Sequence, residues 1–231
     1  MTRVLLIGHG RMGALVERLA PEHGCEIAAI VTELSGDRAI EIGDFGAVDV
    51  AIDFSLPDAV PANVPQLAAR KLNVVIGTTG WQAHEAGLRS LAASAGIGVL
   101  ASANFSLGMT IFQIAVEAAA ARFAAQPGYG AWIHEMHHAA KQDAPSGTAL
   151  MLQRSMERVG YRRGIDVSSN RAGSAPGVHT VGFDGASESV RFTHDVRDRA
   201  VFARGALEAA KWLTGRAGWF TIRDMIEAGE N

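Results

Sequence analysis

Only one cysteine, Cys25, occurs in the 231 residues, so no intrachain disulfide can staple the fold. It follows an apolar helical stretch, and the thiol reads as buried structural packing. Basic charge is scarce too. Lysine occurs only at Lys71, Lys141 and Lys211, and 21 Lys and Arg stand against 24 Asp and Glu. A net charge of −3 with no basic stripe argues against a nucleic-acid partner, which needs clustered cations to neutralise phosphates. Long apolar runs are also missing. Val4-Leu5-Leu6-Ile7 is far shorter than the apolar region of a secretory signal, and no later stretch is expected to approach a membrane span. A cytoplasmic protein with no membrane partner is the simplest expectation. Stability then has to come from burial, and 48% hydrophobic residues supply one large core or two modest ones.

Over the first hundred residues, short apolar runs alternate with helical patterns. Residues 3–7, 26–31, 48–53, 73–76 and 98–101 read as strands; 11–19, 58–70 and 81–95 read as helices. Continuous apolar strands between helices predict a parallel sheet covered on both faces, a doubly wound α/β domain. Near residue 107 the rhythm changes. Helices are expected over 109–125, 146–159 and 204–213, a strand over 132–136, and an antiparallel pair over 178–183 and 189–194 joined by Asp184-Gly185-Ala186-Ser187. That mixture predicts an α+β domain with a mixed or antiparallel open sheet. The polar segment 161–175 reads as an exposed loop, and 221–228 as a final helix packing back on the first domain. The expected division is therefore 1–104, rejoined by 216–231, and 105–215.

Gly8-His9-Gly10-Arg11-Met12-Gly13 sits between the first strand and first helix. Gly8 suits the tight turn, Gly10 the close approach of backbone to a pyrophosphate, and Gly13 the packing of helix on strand. The helix N-terminus then offers N–H groups and positive dipole to phosphates. In this context GxGxxG indicates a Rossmann-type dinucleotide site for NADH or NADPH. Glu33 lies at the distance of a residue that binds the ribose hydroxyls of NADH, and no Lys or Arg occurs from Thr32 to Gly36 to claim a 2′-phosphate, the first after the second strand being Arg38.

The richest segment is His134-Glu135-Met136-His137-His138-Ala139-Ala140-Lys141-Gln142-Asp143-Ala144-Pro145-Ser146-Gly147-Thr148-Ala149. Ser146 is a good N-cap for the helix that follows. Free N–H groups at Ser146, Gly147 and Thr148, with the Thr148 hydroxyl and the Lys141 charge, would form a carboxylate site. His137 suits general acid work near neutral pH. The segment also matches HExxH, but that pattern binds zinc only on a helix. On the strand expected here His134 and His138 would lie roughly 13 Å apart, so no metal is expected.

The segment from His137 to Ala149 resembles the signature of 4-hydroxy-tetrahydrodipicolinate reductases, also called dihydrodipicolinate reductases. Matching pieces run through nearly the whole chain: Gly10-Arg11-Met12-Gly13, Asp53-Phe54-Ser55, Gly77-Thr78-Thr79-Gly80, Ala103-Asn104-Phe105-Ser106, Arg171-Ala172-Gly173, His179-Thr180-Val181, Thr193-His194, Arg199 and Phe202-Ala203. The resemblance implies hydride transfer from NAD(P)H to a ring-shaped dicarboxylic acid in diaminopimelate and lysine biosynthesis, in a homotetramer. It implies His137 as the acid that protonates the ring, and Lys141 as an aid to catalysis. His138, Ser146, Gly147, Thr148 and Arg199 would hold carboxylates. Gly77-Thr78-Thr79 and Ala103-Asn104-Phe105 would line the nicotinamide end, near Phe54 and Ser55. The chain departs from the family in its shorter fingerprint, in Ala139-Ala140 for a more polar pair, and in shorter loops around 35–45 and 161–170. A nucleotide-binding sensor or inactive paralogue would have lost His137 or Lys141, and both are present. Another amino-acid dehydrogenase would not need the dicarboxylate cluster.

Overall fold

The computed structural model describes residues 1–32 and 46–230. The chain forms two compact units, Met1–Leu107 with Ala200–Asn231, and Gly108–Arg199.

In the first unit, strands β1 (Thr2–Ile7), β2 (Cys25–Val31), β3 (Val50–Asp53), β4 (Asn73–Ile76), β5 (Gly98–Ala101) and β10 (Gly218–Phe220) form one parallel sheet in the order β10-β5-β4-β3-β1-β2. Helices α1 (Arg11–Leu19), α2 (Val60–Ala69), α3 (Glu85–Ala95), α6 (Ala200–Leu213) and α7 (Ile222–Glu227) belong to the same unit. Successive residues of β1 feed opposite faces, as strand geometry requires. Val4 and Leu6 enter a core with α1 and α6, whereas Leu5 and Ile7 enter one with α2 and α3. Burial on both sides explains why these strands are unbroken apolar runs. Cys25 is buried in the first of these cores.

Helix α6 was expected in the second domain, and this is corrected. Its Ala203, Ala206, Leu207, Ala210 and Leu213 complete the first unit's core. A Cβ at Gly205 would lie 1.7 Å from the Phe105 carbonyl oxygen, so the helix can sit this close only because glycine stands there.

The second unit holds α4 (Leu107–Ala124, entering from the first unit), β6 (Gly130–His137), α5 (Gly147–Arg158), β7 (Ile165–Arg171), β8 (Gly177–Asp184) and β9 (Ser189–Val196). Its sheet runs β7-β6-β8-β9, with β6 and β7 parallel and the other pairs antiparallel. One face, with Ile133, Val181 and Phe183, packs on Met109, Phe112 and Val116 of α4 and on Leu152 and Met156 of α5. The other face carries Trp132, lying over Gly182, and the Thr180–Thr193 hydroxyl pair.

Two further expectations are corrected. Residues 165–171 are a strand, not loop: Ile165 and Val167 turn inward while Asp166, Ser168 and Asn170 face out. Helix α4, with 18 residues and a mean hydropathy of 1.3, is long and apolar enough to cross a membrane by length and composition. Its Met109, Phe112, Val116 and Ala120 pack instead into the second unit's core.

Candidate active site

The first unit's candidate ligand site is built by the turns beyond the carboxyl ends of its strands. Gly8 has φ +87°, and a Cβ there would lie 2.4 Å from the Phe54 carbonyl oxygen. A Cβ on Gly13 would fall 2.1 Å from the Gly8 carbonyl oxygen, so α1 rests directly on the turn. Gly10 caps α1, and a Cβ at Gly10 would meet nothing within 4 Å. The first amides of α1 therefore face an open approach, with no acidic side chain in the first turn to occupy them. Gly10, Arg11, Met12, Phe54, Ser55, Gly77, Thr78 and Thr79 line a cleft of about 350 Å³. Met12, Phe54 and Gly77 also border a second cleft of about 220 Å³ with Ala103, Asn104, Phe105 and Phe202. The structure thus gathers the expected nucleotide-contacting residues along one trough, at the place where open parallel sheets bind ligands. Glu33 lies outside the described residues. The residues present fit a dinucleotide: helix-terminal amides with no side-chain cap among the described residues at one end, and Phe54 and Phe105, edge to face at 6.2 Å, at the other.

Two residues here were not assigned from sequence. Phe202 of α6 lines the trough. Asp53, fully buried at the end of β3, holds the loops on either side. Its carboxylate accepts from the Ser55 amide at 2.9 Å, the Ser55 hydroxyl at 2.6 Å, the Thr78 hydroxyl at 2.9 Å and Asn63 Nδ2 at 3.0 Å. Its carbonyl accepts the Gly77 amide at 2.9 Å. The available signal was a carboxylate ending an otherwise apolar strand. Asn104, by contrast, uses its side-chain oxygen on the Ser106 amide at 2.9 Å, stabilising the turn into α4.

The second unit has a candidate site of its own at the end of β6. Glu135 and His137 are two residues apart and so share a face, both buried. His137 Nδ1 is hydrogen-bonded to Glu135. Glu135 also accepts both terminal nitrogens of Arg171, at 3.0 and 2.7 Å, and the Ser146 amide at 3.2 Å. Burial alone would raise the Glu135 carboxyl, but these hydrogen bonds, chiefly from Arg171, bring it down to about 2. Burial lowers His137 against the opposing pull of Glu135. His179, beside Glu135 on β8, is brought down to about 4, mainly by burial and then by His137. Its Nε2 meets the Ser146 hydroxyl at 3.2 Å.

Ser146 caps α5 as expected, accepting from the Ala149 amide at 3.2 Å. Its own amide is taken by Glu135, which corrects the expectation of a free donor there. Gly147 and Thr148 open the helix beside it, with Gly147 exposed and Thr148 half-buried. The half-buried His138 and Lys141 are on the loop from β6, and Lys141 Nζ lies 2.7 Å from Asp143 Oδ1. Asp143 is lowered chiefly by that contact. Arg199 is exposed, immediately ahead of α6. His134 turns to the other face of β6, with Nδ1 3.0 Å from the Ser168 hydroxyl. Ligand atoms of Glu135, His137 and His179 lie within 4.8 Å of one another. That donor set does not suit a cation, because a guanidinium already holds both oxygens of its only carboxylate. Arg171 was quoted from the sequence only within the matching Arg171-Ala172-Gly173 piece and was given no role there, in a segment taken for loop.

A Rossmann-type trough in one unit and an imidazole, an ammonium and a helix terminus gathered in the other define a pyridine-nucleotide oxidoreductase acting on an anionic substrate. Residues 2–105 match the family described as dihydrodipicolinate reductase, N-terminus, and residues 108–226 match dihydrodipicolinate reductase, C-terminus. The chain belongs to the dihydrodipicolinate reductase family. A 4-hydroxy-tetrahydrodipicolinate reductase of Xanthomonas euvesicatoria is 40% identical over 238 residues, covering 97% of each chain. One from Christiangramia forsetii is 32% identical over 235 residues, covering 96% of this chain and 97% of the relative. The fold is shared with a dipicolinate-bound dihydrodipicolinate reductase from Paenisporosarcina sp. TG-14, at a TM-score of 0.81 and 23% identity over 96% of this chain and 97% of that one.

Proposed function

We propose that the chain reduces 4-hydroxy-tetrahydrodipicolinate to tetrahydrodipicolinate with NADH or NADPH, in the cytoplasmic synthesis of diaminopimelate and lysine; the ring hydroxyl leaves with a neighbouring hydrogen as water, and the dihydrodipicolinate so formed takes one hydride and one proton. The observation that carries this reading is His137, buried and tied to Glu135 at the end of β6, next to the N-terminus of α5. The nucleotide, when bound, supplies the hydride. Gly8, Gly10 and Gly13 shape the phosphate turn, and Arg11, Met12, Ser55 and Thr79 border its cleft. Phe54, Gly77, Thr78, Ala103, Asn104 and Phe105 form the ring-binding end; the apolar wall keeps water from the reacting carbon. Glu33 is assigned to the ribose hydroxyls, which favours NADH.

On the substrate side, Lys141, His138, Gly147 and Thr148 with the Ser146 cap and Arg199 hold the two carboxylates. An ammonium and helix-terminal N–H groups are matched to that charge. His137 holds the proton at Nε2, since its Nδ1 faces Glu135, and delivers it to the ring carbon next to the one that takes the hydride. Self-association into a homotetramer belongs to the same reading, with the outer sheet face around Trp132 and Met136 as the contact; light scattering of the purified protein at one-subunit mass would remove it.

The test is oxidation of NADH and NADPH with substrate made in situ from pyruvate and aspartate semialdehyde by a coupled synthase. Wild type is compared with His137→Ala and Lys141→Ala. Substrate-dependent oxidation that both changes reduce by about 100-fold or more supports the reading. Nucleotide binding without oxidation would move the assignment to another substrate.

A further inference from the structure

We infer that Glu135 and Arg171 are positioning residues for the proton donor, one carboxylate fixing both the imidazole of His137 and the start of the anion-binding helix α5. The inference rests on the assignment of His137 as the acid and adds what makes it one. Glu135 is completely buried, and each of its oxygens is used. Oε1 takes Arg171 Nη2 and the Ser146 amide; Oε2 takes Arg171 Nη1 and His137 Nδ1. Arg171 lies on β7 directly opposite His137, and its Nη2 also donates to the Asp143 carbonyl. The guanidinium therefore ties the strand, the carboxylate and the loop bearing Lys141 together.

The chemistry follows from which nitrogen is committed. An ionised Glu135 accepts the Nδ1 proton, so Nε2 is the atom that gains and loses one. A carboxylate behind an imidazole favours the charged ring, which is the state an acid must occupy before it gives its proton. Space in front of Nε2 is kept by Gly177, where a Cβ would come within 2.9 Å of that atom. The groups facing His137 are Glu135 from its own strand, Arg171 from β7, His179 from β8 at 5.1 Å between rings, and Lys141 from the following loop. Burial favours the neutral ring, and Lys141 and Arg171 act with it; Glu135 alone opposes.

The experiment follows the His137 imidazole by NMR titration, alongside the pH dependence of kcat, in wild type, Glu135→Gln, Glu135→Asp and His137→Gln. In Glu135→Gln the imidazole is expected to titrate lower by about one pH unit or more. Turnover near neutrality should then fall about tenfold and recover as the pH is lowered, with the KM for the nucleotide unchanged. Glu135→Asp should lie between Glu135→Gln and wild type, and it decides the question should the Gln variant fail to fold. An imidazole that titrates as in wild type in either folded variant, or a loss of kcat independent of pH, overturns the inference. Wild-type turnover in His137→Gln would instead overturn the assignment of the acid itself.

Discussion

Glycines that exist to be approached give the sharpest tests at the level of single residues. Gly205→Ala places a methyl group 1.7 Å from the Phe105 carbonyl oxygen, in backbone that has nowhere to go. It is expected to cost about 1–3 kcal/mol through overpacking and to weaken nucleotide binding, because Phe105 lines the trough. Thermal melting and quenching of protein fluorescence by NADH measure the two effects; an unchanged melting temperature would show that α6 can move away freely. Gly177→Ala works at the other end, pressing on His137 Nε2. Displacing the acid by a fraction of an ångström should lower kcat about 10- to 100-fold while NADH binding stays at the wild-type level. His179 supplies a test of pH. Its folded-state value of about 4 lies below the ordinary 6.5, so below pH 6.5 the unfolded chain takes up a proton that the fold refuses. Stability should therefore decline as pH falls from 6.5 to 4, by on the order of 2–3 kcal/mol for this group. Glu135 adds a further loss between its ordinary 4.5 and about 2. Melting curves of His179→Gln should flatten the first interval only, and a decline as steep as in wild type would clear His179 of the effect.

Helix α5 makes the case at the level of elements. Ser146→Ala removes the acceptor for the Ala149 amide and the partner of His179, and should cost about 1 kcal/mol as a lost N-cap. A dicarboxylate ring analogue should bind more weakly to this variant, as read by calorimetry, because the Gly147 and Thr148 amides lose their fixed start. The cap itself was readable from Pro145-Ser146 in the sequence. So were strands β4 and β5, whose bounds at Asn73–Ile76 and Gly98–Ala101 fall where the apolar runs begin and end. Strand β7 was not, although Ile165 and Val167 alternate with polar residues, because Ser169 and Asn170 in a Gly- and Ser-containing stretch obscure the period. Strand β10, Gly218–Phe220, is too short to carry any period. Within the candidate site, the residues assigned to ligands were picked out by motif, spacing and family resemblance. Asp53 and Arg171 were not, since their roles depend on partners 25 and 36 positions away in the chain. Helix α6 shows a fully apolar face that identifies a core without saying which core.

At the scale of the whole molecule, each unit carries its own set of the groups assigned to a ligand, so each ligand should protect a different part of the chain. Hydrogen exchange with saturating NADH is expected to slow the amides around Gly10, Ser55, Thr78 and Asn104. A dicarboxylate ring analogue should slow those from His138 through the first turn of α5 instead. At about 100 times its dissociation constant either ligand should add about 2.7 kcal/mol of stability to the state that binds it. Protection of the first unit by the dicarboxylate alone would contradict the assignment of Lys141 and α5 as its seat.

The first unit is assembled from two stretches of chain with the whole second unit inserted between them. During synthesis strands β1 to β5 and the Gly-rich turn leave the ribosome early, yet the apolar surface meant for α6 stays bare until residues 200–213 emerge. Val4, Leu6, Ile52 and Phe105 are among the side chains left waiting, the last of them a wall of the nucleotide trough. The intervening segment can meanwhile build its own core from Met109 to Phe183. The order of birth is therefore the reverse of the order of completion: the unit begun first is finished last, and a nascent chain halted before Ala200 would present an unfinished hydrophobic face to the chaperones around it.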